Sequence, residues 1–547
     1  MRIAAFSTAH DAAVCSINNG KLEFFAKEER LTRKKRDKNP YLALDLYHSL
    51  NFGKIDRFLY TTPSNISNLE NGYKVYIEKK FKIPLENYAS HNHHSLHAAL
   101  AFNNSKFDEA LVFVIDRDGS LIFLNNTATC RESESVFYCR GREQKEIYKS
   151  FWTFNEKDRY SLSKDLEKFY PGVHLNVGNR LSIVKVYEAA TTLINQGPLE
   201  NGKTMGLSAY SEKTEFEPIF KNGYVIGELF SHLKNNNETS CFFGDEDKIA
   251  DVTEDNYKFY ADKAKHVQLE TQKEALRLIK KFTNQTGLNK VCIVGGYGLN
   301  VVANSFYIKN CPDLQFYFEP VSDDTGTSIG ACILKNKQLN VSPSVYFFDD
   351  IFYHYYDSRE SIEQGSSSSI EEVCNLLINQ KSVAIFDGHP ESGPRALGHR
   401  SILFDPRNSN TKQLVNEIKK REWYRPFAGV ILESEFKNYF ETLGLLSSEF
   451  MTLNFDSLQI TKTIAPGIIH VDGTCRVQTV SKGFLFQLLT LFFKITQCPM
   501  LLNTSFNLAG EPLVQTKKDA LETLNRSKLD YVYFVNDNIL VKNPSLN

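Results

Sequence analysis

The chain has 547 residues, more than one hydrophobic core ordinarily serves, so two domains are expected. Hydrophobic residues make up 42% and charged residues 24%, and 64 Lys and Arg against 65 Asp and Glu leave a formal net charge of −1, which excludes a global bias toward nucleic acid or an anionic membrane surface. No run of about 18 apolar residues occurs. The ten cysteines are scattered without a CxxC pair, so a cytoplasmic setting with no membrane association is expected.

The opening MRIAAFST reads as a buried strand running into His10-Asp11, not as a signal peptide, because those two residues interrupt the apolar stretch. Residues 30–36, RLTRKKR, form a local basic run that is either a solvated face or a contact for an anion or nucleic acid. HHSLHAALAF reads as helix. His93 and His97, four apart, share one helix face and can reach one metal ion; packing or surface histidines are the plainer reading. ALVFVI predicts a strand ending at Asp116-Arg117-Asp118-Gly119, which puts a carboxylate at a strand end, and a mixed-charge segment follows at 140–170. Lys203-Thr-Met-Gly206 reads as a loop whose lysine meets phosphate or is merely solvated. EALRLIKKFTNQTG has helical periodicity and a closing glycine.

KVCIV then predicts a strand entering Gly295-Gly296-Tyr-Gly298-Leu-Asn300. Exposed N–H groups of such a turn bind anions, and a tight turn without a ligand is the alternative. FYFEPV leads to Asp323-Asp324-Thr325-Gly326, a turn opening the helix SIGACIL, where Asp324 can add a second carboxylate. Two histidines with two carboxylates suit iron, manganese or zinc.

A boundary is expected around residues 340–370, where the Gly-Ser run QGSSSS reads as a flexible connector. IEEVCNLLINQKSVAIF then looks like an amphipathic helix followed by a buried strand, the start of a new α/β unit. Basic residues recur in the small-residue and apolar segments beyond it: Arg395 and Arg400 in PRALGHRS, then Lys419-Lys420-Arg421, Arg425 and Arg476. The last block is Asn503-Thr504-Ser505-Phe506-Asn507. Arginine presents a planar fork to phosphate or carboxylate, and a buried guanidinium needs an anionic partner. FLFQLLTLFF is short and holds Gln487 and Thr490, so a membrane span is not expected there.

The blocks HDAAV, EERLTR, HHSLHAALAF, GKTMGLSAY, GGYGLN, DDTGTSIGA, ESGPRALGHRSILFDPR, IKKREWYRPFA, HVDGTCRVQTV and NTSFNLAGEP run in that order from residue 10 to 512. Together they resemble the O-carbamoyltransferases of nodulation-factor and antibiotic-tailoring type. The resemblance implies an α/β protein. Residues 1–345 would form a domain with the actin-like ATPase fold and its duplicated ribonuclease-H-like halves, 346–369 a linker, and 370–547 a YrdC-like α/β domain. It implies an enzyme that takes carbamoyl phosphate and ATP to a carbamoyl-adenylate in the C-terminal domain. The N-terminal domain would then move the carbamoyl group to a hydroxyl, on a small-molecule natural product or on a hydroxymethylated pyrimidine nucleotide or DNA.

Carried over residue by residue, the resemblance implies His93, His97, Asp116 and Asp324 as ligands of a divalent metal, iron first, with manganese, magnesium or zinc as alternatives. Lys203, Gly295, Gly296 and Asn300 would belong to the nucleotide site. Lys419, Arg425, Arg476, Asn503 and Ser505 would surround carbamoyl phosphate and the adenylate, with Arg395 and Arg400 assisting there or pinning the domain together. His10, beside Asp11 in the catalytic turn, would be the general base on the acceptor hydroxyl. A homodimer is a further expectation. The chain departs from the pattern at Arg117, where glycine is usual, and at His399, where asparagine is commoner. The competing readings are a threonylcarbamoyl-type tRNA-modifying enzyme and a non-catalytic nucleotide-binding module.

Overall fold

The structure is a computed structural model and describes residues 1–63, 67–88, 93–124, 127–153, 159–178, 182–226, 248–340, 354–357, 359–362 and 364–546. It divides into two compact units. The first comprises Met1–His10, Val14–Glu23 and Leu46–Phe347, the second Asp11–Ala13, Phe24–Asp45 and Phe348–Asn547. The stretch Phe24–Asp45 thus packs with the second unit, which a division by chain order alone did not foresee.

In the first unit, β1 (Arg2–Ser7), β2 (Ala13–Asn18), β3 (Lys21–Lys27), β4 (Arg57–Thr61) and β5 (Leu85–Asn87) form a sheet in the order β3-β2-β1-β4-β5. Asn19 and Gly20, both at positive φ, turn β2 into β3. β1, β4 and β5 are parallel. Next come β6 (Glu109–Ile115), β7 (Leu121–Leu124), β8 (Thr127–Arg140), β9 (Glu143–Thr153) and β10 (His174–Gly178). A two-stranded hairpin, β11 (Phe220–Lys221) and β12 (Tyr224–Val225), precedes β13 (Lys290–Val294) and β14 (Gln315–Phe318). The second sheet runs β10-β9-β8-β6-β13-β14, with β7 against β8. Here too the first strand, β6, has the antiparallel β8 and then β9, itself antiparallel to β8, on one side, and the parallel β13 and β14 on the other. The same 3-2-1-4-5 arrangement occurring twice is the duplicated ribonuclease-H-like design of the actin-like ATPase fold. β1, β6 and β13 are almost continuously apolar and buried because they lie inside their sheets with both faces covered.

Two helices bring the second half's chemistry together. The helix Gly326–Gln338 crosses the helix His93–Ser105 so closely that a Cβ on Gly330 would run into the backbone carbonyl of Leu96. That approach sets the turn ahead of Gly326, which carries Asp324, beside the turn that carries His93 and His97.

The second unit holds one nine-stranded mixed sheet. Its strands are β15 (Ser366–Ser367), β16 (Val383–Phe386), β17 (Arg400–Phe404), β18 (Ala428–Leu432), β19 (Asn454–Asp456), β20 (Thr474–Val480), β21 (Met500–Ser505), β22 (Tyr531–Phe534) and β23 (Ile539–Lys542). Their order is β15-β23-β22-β16-β17-β21-β18-β20-β19. Two expectations change here. The Gly-Ser run is not a loose connector: Ser366–Ser367 satisfies the edge of β23, and Ser369 caps the helix Ile370–Ile378 through the N–H of Glu372. The remainder of the expected linker, 346–353 with 358 and 363, lies outside the described residues. The basic run at 30–36 divides: Lys34 and Lys35 are exposed, while Arg30 and Arg33 bind carbonyls of the second unit. Arg30, 1% exposed, donates to the carbonyls of Glu391 and Gly393 at 3.3 Å, and Arg33 donates to those of Pro512, at 3.1 Å, and Leu513. These bonds hold Phe24–Asp45 within the second unit.

FLFQLLTLFF lies in the 14-residue helix Gly483–Thr496, and among the described residues no helix is long and apolar enough to cross a membrane. The nine described cysteines are all free and buried.

Candidate active site

His93 and His97 stand in the first turns of their helix, Asp116 immediately follows β6, and Asp324 sits ahead of Gly326. All four side chains are buried, and one ligand atom from each lies within 4.8 Å of the others. His93 Nε2 is 3.3 Å from Asp116 Oδ2 and 3.6 Å from Asp324 Oδ1, and His97 Nε2 is 3.6 Å from the same Asp324 oxygen. Burial alone would depress the His93 imidazole, but Asp324 and Asp116 outweigh it and hold it up at about 10. Burial would likewise raise both carboxyls. His10 and His93 keep Asp324, and His93 keeps Asp116, well below the usual carboxylate range. A nest holding two buried carboxylates therefore draws positive charge to its centre. Neither ring nitrogen of His97 nor Asp324 Oδ2 makes a hydrogen bond, although all three are buried. The unsatisfied atoms of His97 and Asp324, close to His93 Nε2 and the Asp116 carboxylate, make a donor set of two imidazole nitrogens and two carboxylates that fits a divalent transition metal.

His10 approaches the nest from the turn after β1, its Nδ1 3.6 Å from Asp324 Oδ2. Ala9 and Asp11 on either side of it are both at positive φ, 77° and 67°. Such strain in non-glycine residues gathers at functional turns. Asp11, next to His10 in the turn, groups with the second unit.

The glycine turn is joined directly to the nest, since the N–H of Gly296 donates to Asp116 Oδ1 at 3.0 Å. Gly295 has φ +90°, and a Cβ there would stand 2.5 Å from the carbonyl oxygen of Ile115. Gly295→Ala is expected to cost about 1–3 kcal/mol of backbone strain, with the clash added, and to lower the thermal unfolding midpoint by several degrees. An unchanged midpoint would contradict this geometry. Two residues expected at the nucleotide have other work. Asn300 caps the helix Val301–Asn310 through the N–H of Ala303, and its amide pairs with that of Gln268. Lys203 is not in a loop: it lies on the helix Asn201–Ser208, donates to Gln196 at 2.6 Å and pairs with Glu200 at 3.8 Å.

In the second unit, Arg476 on β20 pairs with Ala428 on β18, and Ala428 with Asn503 on β21, so the two polar residues stand level on one face of the sheet. Asn503 is fully buried. Its amide nitrogen donates to Gln478 at 2.9 Å, and its Oδ1 makes no hydrogen bond. Lys419 closes the helix Thr411–Lys419 and is buried; its Nζ donates to the carbonyl of Ser505, to Ser505 Oγ at 3.0 Å and to Asn507 Oδ1 at 2.8 Å. Burial and the charges of Arg476 and Arg425 push Arg395 well below its ordinary range. Burial with Arg425 and Arg476 does the same to Arg421, and burial with Arg421 and Arg425 to Lys419. Arg476 is pushed down to about 10 by burial, with Arg425 adding to it. Glu422, 3.3 Å from Arg425, offsets part of this charge. Cations that repel one another while partly desolvated form a receptor for a multiply charged anion.

Arg400 is not part of that receptor. It is fully buried, lies 3.5 Å from the centre of the Phe386 ring, and donates to the carbonyls of Asp387 (2.8 Å), Gly388 (3.0 Å) and Gln515 (3.4 Å), so it pins the loop to the sheet. Glu391 organises the same loop by accepting from the N–H groups of Leu397, His399 and Arg400. Arg421 and Asn507 join the cluster although the motif reading gave them no role.

The fold and these two clusters define a two-unit α/β transferase. The chain belongs to the carbamoyltransferase family: residues 48–333 match the carbamoyltransferase N-terminus and 374–542 the carbamoyltransferase C-terminus. It is an enzyme of that class and uses a carbamoyl donor. The nodulation protein NolNO of Sinorhizobium fredii is 26% identical over 95% of this chain and 77% of its own length. NolO of Bradyrhizobium diazoefficiens is 26% identical over 80% of this chain and 77% of its own. Among solved structures, HypF of T. kodakarensis aligns with 62% of this chain and 48% of its own at a TM-score of 0.40 and 11% identity.

Proposed function

We propose that the protein is an ATP-dependent O-carbamoyltransferase that uses carbamoyl phosphate through a carbamoyl-adenylate to carbamoylate an acceptor hydroxyl. The observation that carries this reading is the group Arg395, Lys419, Arg421, Arg425 and Arg476, whose mutual repulsion asks for a phosphorylated ligand, in the stretch matching the carbamoyltransferase C-terminus. The arginine forks hold the phosphate of carbamoyl phosphate, and the unpaired Asn503 Oδ1 accepts from the carbamoyl NH₂. Carbamoyl phosphate loses its phosphate to water, and the carbamate oxygen attacks the α-phosphorus of ATP with release of pyrophosphate. The resulting mixed anhydride has AMP as a good leaving group.

In the first unit the acceptor oxygen attacks the carbamoyl carbon, AMP departs, and His10 takes the hydroxyl proton. His93, His97, Asp116 and Asp324 would hold a divalent metal, iron or manganese by their donor set, whose chemistry there is Lewis-acid polarisation. The acceptor is a hydroxyl compound, from a natural-product alcohol to a hydroxymethylated pyrimidine.

The test is incubation of the full chain with ATP, carbamoyl phosphate and Fe²⁺ or Mn²⁺, with AMP and pyrophosphate followed by mass spectrometry. AMP is expected only when carbamoyl phosphate is present. Absence of AMP with either metal, or AMP formation indifferent to carbamoyl phosphate, would sink the reading.

A further inference from the structure

We propose that Arg117 is a positioning residue that holds Asp116 in metal-binding geometry by clamping its turn to the helix Ile183–Leu193. The inference rests on the metal reading of the nest and adds to it a residue outside the ligand set. Arg117 follows Asp116 directly. Its Nε and one terminal nitrogen donate to the two carboxylate oxygens of Glu188 at 2.9 and 3.0 Å, and its other terminal nitrogen bonds Asp118. Glu188 is fully buried on that helix. Lys185, one turn earlier, lies 3.4 Å from both Asp118 and Glu188 and over the Trp152 ring at 5.3 Å. Two cations and two carboxylates leave the quartet without net charge, although Arg117 itself acts on the adjacent Asp116. What it contributes is rigidity, because a bidentate fork on a buried carboxylate fixes orientation as well as distance.

The opposite flank of Asp116 is held by different means. The N–H of Asp116 donates to the carbonyl of Ser133 at 3.0 Å, and the N–H of Ser120 to Glu132 at 2.9 Å, with Glu132 itself in a buried pair with Lys149. Arg117 is therefore the bidentate anchor between the Asp116 turn and the helix Ile183–Leu193, with the Lys185–Asp118 pair beside it. Groups that orient metal ligands in this way change metal affinity about 10- to 100-fold when removed.

Removing Arg117 alone would strand the Glu188 charge and confound positioning with folding. The decisive variant is therefore the double substitution Arg117→Met with Glu188→Met, which removes both charges and keeps apolar bulk, alongside Arg117→Lys, which keeps charge but loses the fork. Mn²⁺ affinity would be measured by calorimetry on the full chain, the Co²⁺ absorption spectrum taken as a report of ligand geometry, and the unfolding midpoint recorded for each protein. The expected result is a Mn²⁺ affinity about 10- to 100-fold weaker in the double variant, with a changed Co²⁺ spectrum and an unfolding midpoint close to the parent's, and an intermediate loss in Arg117→Lys. Affinity and spectrum equal to the parent's in a folded double variant would overturn the clamp and leave the metal site standing. A parent protein that binds neither ion would overturn the metal reading and the clamp with it.

Discussion

Asp324→Asn is expected to weaken divalent-metal binding by about two orders of magnitude and to abolish carbamoyl transfer, while carbamoyl-phosphate-dependent AMP formation survives. Asp324 stands 3.6 Å from each of three imidazoles, those of His10, His93 and His97, so no other side chain of the nest meets as many partners. The substitution preserves shape and removes one negative charge. Zinc-finger sites gain about 10–16 kcal/mol from four ligands, which is about 3 kcal/mol for each. Each 1.4 kcal/mol is tenfold in affinity, which gives the two orders of magnitude. The survival of AMP formation follows because the cations for carbamoyl phosphate lie in the other unit. Mn²⁺ titration of the parent and variant checks the first part, and pyrophosphate release against acceptor carbamoylation checks the second. Equal Mn²⁺ affinities would remove Asp324 from the ligand set.

Each part of the nest is legible as a candidate by a local rule, whereas the convergence of the four is implied by the family resemblance and not by spacing. His93 and His97 share a helix face by spacing alone, and Asp116 and Asp324 each follow an apolar strand, where an α/β sheet gathers its chemistry. Local rules do not carry the direction of a long side chain. Arg395 lies in the loop and Arg400, five residues on, opens β17, yet Arg395 feels the charges of Arg476 and Arg425 while Arg400 turns inward onto Phe386. Nothing in GPRALGHRS separates the two. Lys203 was misread because Gly202 and Gly206 weaken the helical signal of a short segment whose helix is set by burial of Thr204, Leu207 and Ser208. Packing of Phe24–Asp45 with the second unit leaves no local mark, since it depends on carbonyls more than 300 residues away, at Glu391 and Leu513. The serine run illustrates the converse. Its composition fits a linker, but an unsatisfied edge at β23 captures it as a strand.

Arg476→Met is expected to raise the stability of the protein and at the same time lower carbamoyl-phosphate-dependent AMP formation by about 10- to 150-fold. Both effects have one cause. Arg476 sits level with Asn503 on the sheet, where burial and Arg425 already act against its charge, and its Nε is buried without a hydrogen bond. Arg476 is half-buried, so replacing its desolvated charge by an apolar side chain of similar volume is expected to stabilise by about 1 kcal/mol, the low end for buried charged groups, which is a few degrees in the unfolding midpoint of a domain this size. With its Nε unsatisfied, the guanidinium gains a further partner when a phosphate arrives, and a charge-assisted hydrogen bond of about 1.5–3 kcal/mol then accounts for the expected loss of activity. Inorganic phosphate alone should therefore stabilise the parent, by about 2.7 kcal/mol at a hundred times its dissociation constant, and should stabilise Arg476→Met much less. Thermal unfolding with and without phosphate, beside the AMP assay, measures all of this on the same two proteins. A variant that is less stable than the parent and equally active would mean that Arg476 is paired within the protein, and that the cluster around it is a structural one instead of a receptor held open for an anion.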